Sequence, residues 1–274
     1  MHSVSANGAE IPALGLGTWT LKGEKCSEMV AAALKLGYRH VDTAAAYDNE
    51  EAVGAGLRES GVPRGDIFLT TKVWHTDLAP RDFRRAADAS LKRLGVDHLD
   101  LLLIHWPNPK VPLADMVGAL NETRARGLTR HIGVSNFTTP LLAEAIRLSE
   151  APLVADQVEY HPYLDQSKVY AACGDAGMAM VSYCPLHRGG GLFSEKPILD
   201  AAEAHGKTPG QIVLRWHVQQ DGVVAIPRTT KKERLKENFE IFDFALSAAE
   251  MKAISGLARE GSRLCDFGFS PKWD

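Results

Sequence analysis

The sequence predicts an α/β fold, a (β/α)8 TIM barrel with an N-terminal β-hairpin and extra C-terminal helices. Three observations predict it. Eight short apolar runs alternate with helical patterns, mostly about 25–30 residues apart, the spacing of repeated βα units. No composition break or Pro/Ser-rich linker divides the 274 residues, which read as one domain, 1–274. Each apolar run stops at a residue with a charge or a hydrogen bond to offer: Thr18-Trp19, Asp42, Lys72, His105, Ser135-Asn136, Gln157, Tyr183 and Arg228. A doubly wound open sheet also alternates strand and helix. A closed barrel is what gathers all eight ends around one mouth.

The elements follow in order. Residues 2–11 read as a hairpin turning at Asn7-Gly8. An apolar strand over 13–19 precedes a helix over 24–36, stopped by Gly37. A short strand around Val41 breaks into a polar turn, and a helix over 50–59 stops near Gly61. A strand over 67–73 precedes a helix over 80–94, opened by Pro80 and followed by Gly95. Residues 98–104 form a nearly unbroken apolar run, as a strand buried on both faces requires. Helices near 113–125, 140–148 and 166–176 alternate with strands at 131–134, 154–158 and 178–183. An insertion with Gly189-Gly190-Gly191 and helical patterns near 198–204 and 211–219 precedes the last strand, 223–226. Helices near 232–238 and 248–257 close the chain.

Composition excludes several classes. Hydrophobic residues at 45% and charged residues at 24% are ordinary for a globular protein. A net charge of -3 argues against nucleic acid as the main partner. Cys26, Cys173, Cys184 and Cys265 lie far apart without C-x-x-C spacing, the pattern of a reduced protein. The start lacks a secretory signal pattern, and no apolar run approaches the roughly 20 residues of a membrane span. The expected location is the cytoplasm. The ten histidines show no metal-binding spacing, and Gly15-Leu16-Gly17 lacks the rest of a dinucleotide fingerprint.

Residues 37–50 are the centre of the chemistry. Asp42 ends the strand and Tyr47 follows in the turn. A phenol with a pKa of about 10 is a poor proton donor near neutral pH. An ammonium about 4 Å away, at an effective dielectric of about 20, favours the phenolate by about 4 kcal/mol, or about 3 pKa units at most. Lys72 is the expected ammonium, Asp42 the carboxylate that keeps it charged, and His105 the group that orients a carbonyl oxygen toward Tyr47. This set suits carbonyl reduction with hydride from a cofactor. Taken singly, each residue also has a structural role: an Asp–Lys pair across adjacent strands, a core histidine, a packing tyrosine.

The chain resembles the aldo-keto reductase family over almost its whole length, and the short loops look like the bacterial members. The resemblance rests on seven stretches in order: 37–44, Tyr47 with Asn49-Glu50, 71–74, 100–107, 132–137, 157–162 and 226–229. It implies Asp42, Tyr47, Lys72 and His105 as the catalytic tetrad, with Tyr47 as general acid in reduction. It implies NADPH, with Ser135, Asn136 and Gln157 on the nicotinamide carboxamide and Tyr183 stacked on the ring. Arg228, Thr229 and Arg234 fall at the adenosine 2′-phosphate, and Glu237 and Asn238 at the adenine. On its own this charged run reads as a solvated helix face; a helix start rich in cations also attracts phosphate. Leu186 and Arg188 lie where the family covers the pyrophosphate, with the triple glycine as a mobile cover. Trp19, Trp74, His105 and Trp106 are implied to wall the pocket for a small aldehyde or ketone, with the aromatic tail 265–274 closing one side. A monomer is implied. Asp48 departs from the family's usual glycine beside Tyr47. Two other readings stay open: a barrel aldolase with a Schiff base on Lys72, and a non-catalytic NADPH-binding sensor or interaction subunit.

Overall fold

A computed structural model of the chain describes residues 2–274. Asn7 and Gly8 take φ of 45° and 88°, the conformation a two-residue hairpin turn requires. They join β1 (Ser3–Ala6) to β2 (Ala9–Pro12) as an antiparallel hairpin. Its Val4, Ala6, Ala9 and Ile11 are buried. The Asn7 amide donates to Leu153 O, at the first residue of one later strand, and to Ala176 O, shortly before another. The hairpin therefore caps the end of the barrel opposite the strand carboxyl ends.

Strands and helices then alternate. β3 (Leu16–Gly17) leads to α1 (Gly23–Leu36), β4 (His40–Asp42) to α2 (Glu50–Ser60), and β5 (Phe68–Val73) to α3 (Pro80–Leu94). β6 (Leu99–Ile104) leads to α4 (Leu113–Ala125), β7 (Thr129–Ser135) to α5 (Thr139–Leu148), and β8 (Leu153–Glu159) to α6 (Ser167–Asp175). β9 (Ala179–Tyr183) is followed by α7 (Lys196–His205) and α8 (Pro209–Val218), and β10 (Val223–Ala225) by α9 (Lys232–Phe239) and α10 (Ala248–Ser255).

Strands β3 to β10 pair in parallel in chain order. The ring closes where Leu14 bridges Ala225. There Gly15 N donates to Ala225 O at 2.9 Å and Gly17 N to Pro227 O at 3.0 Å. A Cβ on Gly17 would come within 2.6 Å of Ile226 O, so this seam needs a residue without a side chain. The expected strand over 13–19 is shorter, because the segment changes partner along its length: Ala225 at Leu14, then Val41 and Asp42 at Leu16–Gly17.

The helices follow their sequence signals. α3 opens on Pro80, buries Phe83, Ala87, Leu91 and Leu94 at helical spacing, and ends at Gly95 with φ 67°. All six residues of β6 are buried. The strand carboxyl ends differ from expectation in two places. β8 runs past Gln157 to Glu159, and β10 stops at Ala225, three residues before Arg228.

Candidate active site

The carboxyl ends of the strands surround a cavity of about 1110 Å³. Asp42, Tyr47 and His105 line it; Lys72 lies beneath them, fully buried. Each reaches the spot from a different strand: Asp42 ends β4, Lys72 is in β5, and His105 follows β6. Tyr47 sits on a short 3-10 turn, Ala45–Tyr47, after β4. Asn49 fixes that turn. Its side chain accepts from Thr43 Oγ1 at 2.8 Å and donates to Thr18 O and Leu21 O. Asp48 has φ 50° in the left-handed region. Its carboxylate points to solvent and pairs with Lys22 at 3.3 Å, so the extra negative charge is balanced at the rim.

Lys72 Nζ donates to Asp42 Oδ1 at 2.5 Å, to Thr43 O at 2.8 Å and to the Tyr47 hydroxyl oxygen at 3.3 Å. An ammonium has three protons, and all three have acceptors. Asp42 Oδ2 accepts from Gln157 Nε2 at 2.8 Å. The Tyr47 and His105 rings meet edge to face, centroids 5.5 Å apart.

The electrostatics correct one expectation. Lys72 does not pull the Tyr47 phenol below its ordinary value. Burial pushes the phenol well above 10, and the Asp42 carboxylate pushes the same way. Burial is the larger cause, and the Asp42 carboxylate adds to it. Burial lowers Lys72 and Asp42 opposes that. Burial, then Lys72 and His75, holds His105 well below the usual imidazole value, so its ring is neutral at neutral pH. His105 Nδ1 is buried without a partner, which leaves Nε2 to face the cavity.

Among the residues expected at a cofactor, Asn136, Gln157, Tyr183, Leu186, Arg188, Arg228, Thr229 and Arg234 line the cavity. Ser135, Glu237 and Asn238 do not. Ser135 Oγ is turned inward and donates to Gln157 O at 2.7 Å, Glu237 accepts from Thr208 Oγ1 at 2.7 Å, and Asn238 is buried. Asn136, with φ 62°, accepts from the Tyr183 hydroxyl at 2.7 Å and donates to His105 O at 2.9 Å. Among the described residues, Arg228, Lys231 and Arg234 line the cavity with no carboxylate partner; neighbouring Lys232 and Lys236 pair with Glu28 and Glu240. Three uncompensated cations at the start of α9 form a site for an anion of high charge. Arg188 lies over the Trp19 ring at 5.2 Å, and the segment after β9 turns through positive φ at Cys184, His187, Arg188, Gly189 and Gly190.

Trp19, Trp74 and Trp106 line the cavity with Phe267. The tail closes one side as expected: Phe269 stacks on His75 at 4.3 Å, and Phe267 and Trp273 meet Trp106 edge to face at 5.6 and 6.0 Å. Glu159 has a role that its place in the sequence does not announce. Its buried carboxylate accepts from His161 at 3.0 Å and from Leu264 N and Cys265 N at 2.6 and 2.7 Å, which anchors the tail. An acidic residue in an apolar strand two positions from a histidine was the available signal.

Residues 13–259 match the model of the aldo/keto reductase family. The methylglyoxal reductase DkgB of Escherichia coli O157:H7 is 41% identical over 96% of this chain and 99% of its own length. A glyoxal reductase of Bacillus subtilis (strain 168) is 42% identical over 93% of this chain and 91% of its own length. A crystal structure of an aldo-keto reductase from Bombyx mori in complex with NADP superposes with a TM-score of 0.88 at 33% identity, covering 93% of this chain and 92% of that one. The closed barrel, the cavity at its carboxyl end and these likenesses agree, and the chain belongs to the aldo/keto reductase family.

Proposed function

We propose that this protein reduces the carbonyl group of small 2-oxoaldehydes, methylglyoxal and glyoxal among them, with Tyr47 as proton donor. The chain is an oxidoreductase that reduces carbonyl groups with NADPH. NADPH, when bound, supplies the hydride that no side chain can. The residues suit it. A flat Tyr183 ring borders the cavity, and three unpaired cations stand at the start of α9. Asn136 and Gln157, supported by Ser135, would hold the carboxamide, with Tyr183 against the ring. Leu186 and Arg188 would cover the pyrophosphate. Arg228, Thr229 and Arg234 would take the 2′-phosphate, with Glu237 and Asn238 near the adenine.

One observation carries the proton chemistry: the three-way bonding of Lys72 Nζ to Asp42, Thr43 O and Tyr47. Because Lys72 donates to the phenol oxygen, the phenol's own proton is free for the cavity. Neutral His105 donates from Nε2 to the substrate's carbonyl oxygen and orients it. Tyr47 hands its proton to that oxygen as negative charge grows there. The phenolate left behind faces the ammonium, and solvent restores the proton. The raised phenol pKa keeps the acid loaded at neutral pH. Trp19, Trp74 and Trp106 give an apolar wall that admits an uncharged carbonyl compound. A Schiff base on Lys72 needs a free nitrogen lone pair, which an ammonium bound to a carboxylate lacks.

The same proposal has the enzyme act as a cytoplasmic monomer. No helix among the described residues is long and apolar enough to cross a membrane. A screen that follows NADPH absorbance tests the function. Turnover of methylglyoxal and glyoxal is expected. NADPH binding without oxidation across a broad aldehyde and ketone panel would favour a sensor.

A further inference from the structure

Two of the four cysteines meet at the cavity. Cys184 directly follows Tyr183 and opens the segment that carries Leu186 and Arg188. Cys265 lies in the C-terminal tail, two residues before Phe267. Both line the cavity and both are free thiols. Glu159 pairs with Tyr183 across β8 and β9 and its carboxylate accepts from Cys265 N, which brings Cys265 to the end of β9, where Cys184 follows. Cys26 and Cys173, by contrast, are buried in helices α1 and α6.

Each partner is held in place by its own surroundings. Cys184 has φ 50°, a left-handed conformation that a non-glycine residue adopts only when neighbours enforce it. Cys265 N is bonded to Glu159 Oε2 at 2.7 Å, so the end of β8 fixes the tail beside the segment after β9. The Cys265 thiol and then the Arg188 guanidinium lower the Cys184 thiol, and the thiolate is the form that attacks.

We infer that Cys184 and Cys265 form an oxidation site at which a peroxide converts the pair to a disulfide that ties the C-terminal tail to the segment after β9 and slows cofactor exchange. The Cys184 thiolate attacks one peroxide oxygen, the O–O bond breaks, and hydroxide leaves and takes up a proton as water. Cys184 is then a sulfenic acid. The Cys265 sulfur attacks it, the S–O bond breaks, the S–S bond forms, and the departing hydroxide takes the Cys265 proton as a second water. Two thiols lose two electrons and one peroxide gains them. A dithiol reductant reverses the step by exchange. Phe267 of the tail packs on Trp106 at 5.6 Å, so the link joins the substrate wall to the proposed cofactor cover. The effect on exchange rests on that placement of Leu186 and Arg188; the disulfide itself does not.

The test treats reduced protein with hydrogen peroxide and counts thiols in denaturant. Two of the four thiols should disappear, and peptide mass spectrometry should find the Cys184 and Cys265 peptides joined. NADPH release, followed by its fluorescence, should slow and recover with dithiothreitol. Cys265→Ser should stop at a dimedone-reactive Cys184 sulfenic acid, with no slowing. Four surviving thiols, or loss of Cys26 or Cys173 in place of the pair, would overturn the site. A joined peptide with unchanged NADPH release would uphold the disulfide and overturn the exchange claim. Should Cys265→Ser not fold, Cys265→Ala serves the same comparison.

Discussion

Lys72 Nζ lies 3.3 Å from the Tyr47 hydroxyl oxygen and donates to it. Its other two protons go to Asp42 and Thr43 O. The phenol is therefore an acceptor from below and has its own proton for the cavity. Burial and Asp42 keep that proton on at neutral pH. Lys72 matters at the moment the proton leaves, when the oxygen it touches gains charge.

The ion pair predicts a stability phenotype. Lys72→Met should abolish reduction and also destabilise the fold by about 3–5 kcal/mol, because it leaves the buried Asp42 carboxylate without its cation. Adding Asp42→Asn should restore part of that stability and none of the activity. Urea denaturation reads both. An unchanged midpoint for Lys72→Met would mean that the pair carries no charge in the folded protein.

Cofactor preference follows from the unpaired cations around the start of α9. Arg234→Ala should weaken NADPH binding about 10- to 100-fold, the worth of one charge-assisted hydrogen bond, and leave NADH binding unchanged. Fluorescence titration with each cofactor compares them. Equal losses for both, or none, would move the 2′-phosphate away from Arg234.

Acid stability follows from the buried histidines. Burial pulls His40 and His217 down to about 4 and holds His105 well below its ordinary value. Unfolded, each titrates at about 6.5. Below that pH the unfolded chain binds protons the folded protein refuses, so stability falls with pH. The contribution is complete above about 6.5 and, for His40 and His217, is lost as pH falls through about 4. Buried Asp156, its carboxyl pushed well up by burial, works in the opposite direction, but three histidines outweigh one carboxyl. The thermal midpoint should therefore decline from pH 7 to pH 5. A flat profile would contradict it.

Much of the fold was legible because barrel strands are apolar runs with polar ends. Asp42, Lys72 and His105 could be picked out on that basis alone, since each interrupts or follows such a run. What pairs with what was less legible. The raised pKa of Tyr47 is not written in the sequence, because burial and then the nearby Asp42 carboxylate, both set by the fold, produce it. The role of Glu159 is hidden in the sequence because its partners, Leu264 and Cys265, lie about a hundred residues away and are backbone groups. The seam strand is shorter than its apolar run because Leu14 and Leu16 pair with opposite neighbours.

The most direct measurement is the single-turnover rate of methylglyoxal reduction by Tyr47→Phe with NADPH already bound. Removing the general acid should lower that rate by about 10²- to 10⁴-fold while NADPH affinity stays as in the parent protein. A rate within a few-fold of the parent, with the phenol oxygen gone, would mean that the proton comes from elsewhere.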